Sequence, residues 1–194
     1  IYLSGSLEER GEEFFLGDVD INKVRYDKES GKLFVGTADG KIFRWKSVES
    51  AGLEPELFAE IPGEKWGDIY YQHDLGMLAA GSGTAGGNIY LWDESNGGSQ
   101  TNTLQGHNAE ITGIRFAMGD SLMASSSRDG AVNIWHLNDL NTLPIIFNEL
   151  PDWVVDIRFS YDEAFIVTAL QNGNIFLLPT DVELIIHNYC DSGN

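Results

Sequence analysis

The sequence predicts an all-β chain built from a repeated supersecondary unit, and three observations carry that prediction. Trp45, Trp92 and Trp135, with Leu178 as a fourth member, follow one another at spacings of 47, 43 and 43 residues. Helical periodicity is nearly absent, while short β-branched and aromatic runs recur between turn residues, the pattern of strands. The composition, with 22 glycines and 5 tryptophans in 194 residues, suits the same architecture. A period that long cannot come from helix or strand geometry, so it marks a unit of several strands.

Taken in order, residues 1–17 read as the end of a preceding unit, because Ile1-Tyr2-Leu3 repeats Ile89-Tyr90-Leu91 and Leu16 matches Leu104 at the same offset. The expectation is that Ile1 is not the natural start. Gly5 to Glu13 is an acidic connection, followed by Phe14-Phe15-Leu16 as an outer strand. The unit at 18–60 offers Val24-Arg25-Tyr26, Leu33-Phe34-Val35 and Ile42 to Trp45 as strands, with Leu57-Phe58-Ala59 beyond a polar link from Lys46 to Pro55. Its Asp39-Gly40 is a strong hairpin signal. The unit at 61–104 offers Ile69-Tyr70-Tyr71, Met77 to Ala80, Ile89 to Trp92 and Thr101 to Leu104, with a glycine-rich loop from Gly81 to Gly87 in place of Asp-Gly. The unit at 105–148 runs through Ile111 to Phe116, Leu122 to Ala124, a turn at Asp129-Gly130, then Val132 to Trp135 and Pro144 to Phe147. The last unit, 149–178, has Val154 to Phe159, Ala164 to Ala169, Asn172-Gly173 and Ile175 to Leu178, without a tryptophan. In the tail, 179–194, Thr180 or Asp181 could cap a short helix on which Ile185 and Tyr189 share a face.

The stretch GHNAEITGIRFAMGDSLMASSSRDGAVNIW, Gly106 to Trp135, resembles the WD-repeat (WD40) signature. The resemblance implies a β-propeller with blades of roughly 40–45 residues, incomplete here at about four and a half blades. It also implies a hydrogen-bonded structural tetrad of His107, Ser125 or Ser127, Asp129 and Trp135. The other units carry Thr37, Asp39 and Trp45, or Ser82 and Trp92, without the histidine. Hydrophobic packing is therefore expected to hold them, with looser hairpins at Gly81 to Gly87 and Leu170 to Gly173. Phe176 to Cys190 further resembles the end of the WD-repeat region of large bacterial STAND-type signalling ATPases, which implies a closing helix.

Composition narrows the function. Twelve Lys and Arg against thirty Asp and Glu give a formal charge of −18, which repels phosphate backbones and attracts basic proteins. Nucleic acid is thus excluded as an expected partner. One cysteine, Cys190, leaves no internal disulfide and points to a reducing compartment. No apolar run approaches the roughly 18 residues of a membrane span, so the expected location is cytoplasmic. Gly81-Ser82-Gly83-Thr84-Ala85-Gly86 has dinucleotide-loop spacing but leads into a strand, so no cofactor is expected. Asp18, Asp20, Asn22 and Glu29 fall at calcium-loop positions with Lys23 where glycine is needed, and the four histidines show no metal-ligand spacing. No metal is expected. His107, a neighbouring serine and Asp129 also hold the residue types of a hydrolase triad, but the structural tetrad is the preferred reading and no catalysis is expected.

Binding is the expected activity, through loops gathered on one rim of the propeller. Trp66 and Trp153, both at the approach to the first strand of a unit, are candidate partner-binding residues together with Asp68, Asp156, Lys23 and Arg128. The expected role is a non-catalytic interaction or sensor module, the C-terminal part of a larger signalling protein whose remaining blades, or another subunit, close the ring. A structural scaffold subunit is the alternative.

Overall fold

A computed structural model describes residues 16–47, 54–119 and 121–181. Among them, fifteen strands form four antiparallel sheets. The first sheet contains β1 (Ile21–Tyr26), β2 (Leu33–Thr37), β3 (Lys41–Trp45) and β4 (Glu56–Glu60) in spatial order. The second contains β5 (Trp66–Gln72), β6 (Met77–Ser82), β7 (Ile89–Asp93) and β8 (Ser99–Leu104). The third contains β9 (Ile111–Phe116), β10 (Leu122–Ser127), β11 (Val132–His136) and β12 (Ile145–Phe147). The fourth contains β13 (Val154–Phe159), β14 (Phe165–Leu170) and β15 (Ile175–Pro179). Only one helical element occurs among the described residues, a single 3₁₀ turn at Glu94–Asn96. These sheets are blades 1 to 4 of an incomplete β-propeller, with the inner strands β1, β5, β9 and β13 in contact one after another. The readings made for residues 1–15 and for a tail helix lie outside the described residues, as does most of the link between β3 and β4.

The core sits in the seams between blades. Side chains alternate across a strand, so Leu78 and Ala80 of β6 join Phe34, Ile42 and Trp66 in the seam between blades 1 and 2. Ala79, from the same strand, joins Ile111, Ile114 and Met123 between blades 2 and 3. Ala124, Val132 and Ile134 meet Val154, Ile157 and Ile166 between blades 3 and 4. The middle strands of blades 2 and 3 place apolar side chains on both faces because each face meets a neighbouring blade.

A bulge recurs at the start of every inner strand, leaving Asn22, Gly67, Thr112 and Val155 without a partner in the register. Asn22 Nδ2 donates to the Trp66 carbonyl at 2.7 Å, and Thr112 Oγ1 donates to the Val154 carbonyl at 2.7 Å. Both bonds stitch one blade to the next. At Gly67 the following blade comes closer still, since a Cβ there would lie 2.1 Å from the Ile111 carbonyl oxygen.

One further bond repeats in all four blades. The residue after the second strand donates its N–H to the carbonyl just before the inner strand: Ala38 to Asp20, Gly83 to Lys65, Arg128 to Glu110, and Gln171 to Trp153. These bonds align the hairpins and the inner-strand approaches along one rim, where the candidate site lies.

Candidate functional site

The tetrad residues of blade 3 form a continuous buried chain. Trp135 Nε1 donates to Ser125 Oγ at 2.9 Å, and Ser125 Oγ lies 2.8 Å from His107 Nε2. Since the serine receives the indole proton, its own proton goes to Nε2, which leaves Nδ1–H to face Asp129 Oδ2 at 3.2 Å. Asp129 also accepts the N–H groups of Asn108, at 2.7 Å, and Ala131, at 2.9 Å. Burial raises the Asp129 pKa, but the hydrogen bonds from His107, Asn108 and Ala131 outweigh it and hold the carboxyl at about 2. Ser127 stands outside the chain, donating instead to the Ala109 carbonyl at 3.2 Å. Ser125 is fully buried, so a substrate carbonyl has no approach to its oxygen. The arrangement fastens strands rather than presenting a nucleophile.

Blades lacking the histidine are held by polar groups as well as by packing, a correction to the expectation of purely hydrophobic retention. In blade 2, Glu64 accepts from Ser82 Oγ at 2.6 Å and from Tyr90 O–H at 2.9 Å, pinning the glycine-rich hairpin. In blade 1, Thr37 Oγ1 donates to Asp39, which also pairs with Lys41. The loop with dinucleotide-type spacing is the hairpin between β6 and β7. Of the calcium-type set, Asn22 lies within strand β1, which separates it from Glu29.

The rim residues divide into three groups. Trp66 is 1% exposed, and its Nε1 donates to the Lys41 carbonyl at 3.0 Å. Its ring meets the edges of Tyr90 and Trp92 at 6.0 and 6.1 Å. As a partner-binding residue it is corrected: it is core. Trp153, by contrast, is 49% exposed. Register explains the difference. Trp66 pairs with Ser82 as Val154 pairs with Leu170, so Trp153 corresponds to Lys65, one residue earlier, and a shift of one residue flips a side chain to the other face.

Asp68 and Asp156 form the second group, joined through Arg115. The guanidinium donates to Asp68 Oδ2 at 2.8 Å and to Asp156 Oδ1 at 3.1 Å, and Arg158 also pairs with Asp156. Asp68 Oδ2 additionally accepts from Ile114 N at 2.9 Å. These carboxylates tie blades 2, 3 and 4 together along the inner strands.

Lys23, Arg128 and Trp153 form the third group. With Gly67, Glu110, Thr112, Val155 and Gln171 they line a cavity of about 310 Å³. The Arg128 guanidinium stacks over the Trp153 ring at 5.3 Å and pairs with Glu110 Oε2 at 3.1 Å. Such stacking at an exposed site contributes about 0.5–1 kcal/mol, enough to bias the indole toward one orientation. The groove therefore presents an apolar plate flanked by two cations, on a frame fixed by the Arg128 and Gln171 backbone bonds.

Comparison with known proteins agrees with the fold. Residues 98–136, which include β11 and the tetrad, match the family described as WD domain, G-beta repeat. Over those residues the chain is similar to a WD repeat. It is 29% identical over 125 residues to WD repeat-containing protein 1-A of Xenopus laevis, covering 64% of this chain and 20% of that protein. It is 27% identical over 132 residues to the Protein LST8 homolog of Drosophila melanogaster, covering 64% of this chain and 40% of that one. A chain in the crystal structure of the mitotic checkpoint complex superposes with a TM-score of 0.68 at 14% identity, over 82% of this chain and 47% of its own length. The chain thus spans less than half of the length of these proteins, and the structural likeness is one of fold.

Proposed function

We propose that this chain is a non-catalytic protein-interaction module whose contact surface is the groove around Trp153, Arg128 and Lys23. The observation that carries the reading is the half-exposed Trp153, stacked by Arg128 over a cavity on the hairpin rim. An indole buries large area at small entropic cost, which suits it as an anchor for a partner segment. A chain of similar fold comes from a mitotic checkpoint complex, which is by its name an assembly. The net charge of −18 favours a basic partner and faster association at low salt. A sensor role within a larger signalling protein is the finer proposal.

The test compares crosslinked partners of the wild-type chain with those of Trp153→Ala and Arg128→Ala, with Leu143→Ala as an exposed apolar control. A partner held by the groove is lost from the first two and kept by the third. For a purified partner, Trp153→Ala weakens binding by roughly 30-fold or more. Partners retained by both groove variants refute the surface.

A second reading rests on the flanks. Ile21, Val24 and Tyr26 are exposed on β1, and Ile175 and Leu177 on β15. In the scaffold alternative these apolar faces meet further blades or another subunit. Crosslinks confined to β1 and β15 support that reading over the rim.

A further inference from the structure

We propose that Glu29, His73 and Asp74 form a binding site for a divalent transition-metal ion of the zinc class, bridging blades 1 and 2. One donor atom from each of the three lies within 4.8 Å of the others. Glu29 stands on the turn between β1 and β2, and His73 and Asp74 on the turn between β5 and β6. The site therefore sits on the rim opposite the Trp153 groove, beside a cavity of about 470 Å³ lined in part by all three. Forty-four residues separate Glu29 from His73. For that reason the histidine spacing in the sequence points to no metal.

Charge distinguishes this cluster from the other acidic pairs. Where two carboxylates converge elsewhere, a cation stands between them: Arg115 between Asp68 and Asp156, and Arg44 between Glu56 and Glu94. Neither Glu29 nor Asp74 makes an ion pair among the described residues, although Lys28 is adjacent in sequence. Two carboxylates brought together without a counter-charge repel, and a divalent ion removes that repulsion.

The donor set selects the metal. An imidazole with two carboxylates suits zinc-class ions, whereas magnesium and calcium prefer oxygen alone. Behind His73, Asp27 Oδ2 lies 3.5 Å from Nδ1 and is itself held by Ser30 N at 2.9 Å. A carboxylate at that distance is placed to support a metal bound at Nε2, as carboxylates commonly do for metal-bound histidines. Tetrahedral zinc places its donors about 3.4 Å apart, from bond lengths near 2.1 Å. Closure needs movements of about 1 Å in side chains on surface turns. Three protein donors leave a fourth coordination position open to water or to a donor from a partner.

The test is calorimetric titration of the chelator-stripped chain with zinc chloride. One equivalent is expected to bind, with affinity reduced about tenfold or more by His73→Ala and by Asp74→Asn, and unchanged by His136→Ala. Magnesium chloride at the same concentrations is expected to give no binding. Cobalt provides an independent readout, with visible absorption bands that the His73 variant loses. Circular dichroism identifies any variant that fails to fold, and Glu29→Gln then stands in for it. Several equivalents of zinc bound equally by wild type and variants, or an affinity indifferent to His73 and Asp74, overturns the proposal.

Discussion

Ser125 serves two buried partners through one hydroxyl, accepting from Trp135 and donating to His107. Ser125→Ala leaves an indole N–H and an imidazole nitrogen without partners in a dry seam. The expected loss is roughly 2–4 kcal/mol, read as a lowered denaturant midpoint with unchanged slope. Ser127→Ala removes only a bond to the Ala109 carbonyl and one from Asp129 N, so its cost is smaller, about 1 kcal/mol. Equal losses would show that the tetrad is no stronger than an ordinary turn bond. Asp129 adds a pH dependence. Its folded pKa, about 2, lies below the ordinary 3.8. Its contribution is therefore full above about pH 4 and is lost as pH falls toward 2, on the order of 1–2 kcal/mol in all. Asp129→Asn flattens that part of the acid-unfolding profile, and an unaltered profile would reassign the acid sensitivity to other carboxylates.

At the scale of elements, the seams tolerate no added atoms where backbone meets backbone. Gly67→Ala sets a methyl 2.1 Å from the Ile111 carbonyl oxygen and 2.9 Å from that of Ser82. Neither oxygen can swing aside as a flexible side chain would, so the expected cost is about 3 kcal/mol or more. Gly86→Ala meets only ordinary contacts, at 3.6 and 3.8 Å, and its thermal midpoint is expected to stay near wild type. The hairpins were legible in the sequence because Asp39-Gly40 and Asp129-Gly130 place glycine where the turn needs positive φ, 87° and 78° here. The tetrad was legible only through the resemblance of Gly106 to Trp135 to a WD repeat, since the other units lack the histidine. Trp66 and Trp153 were not separable, because their opposite fates depend on a one-residue register difference that only strand pairing reveals. Glu64 was missed because it reaches its serine from the loop before the inner strand, at an offset different from that of His107. The Glu29, His73 and Asp74 cluster joins two blades, and no pattern within a single unit encodes it.

Across the whole molecule, blades join only to their neighbours, so stability should vary along the chain as a set of seams. The seam between blades 1 and 2 depends on one carboxylate more than the others do. Glu94 accepts from Lys32, Arg44 and Tyr71, reaching from blade 2 into blade 1, and its side chain is 13% exposed. Burial raises its pKa, but the hydrogen bonds from Lys32 and Tyr71 and the charges of Lys32 and Arg44 outweigh it and lower the carboxyl below the ordinary 4.5. The same carboxylate pushes the Tyr71 hydroxyl up, after burial itself. Glu94→Ala removes the shared acceptor and leaves Lys32 without a carboxylate in a half-dry seam, while Arg44 keeps Glu56, at an expected cost of about 3 kcal/mol. Because the contacts are local, hydrogen exchange should locate the damage. Amides of β2 and β3 lose protection, while those of β10 and β11, two seams away, keep theirs. Uniform loss of protection would show instead that the four blades open as one cooperative unit and that no seam has an energy of its own.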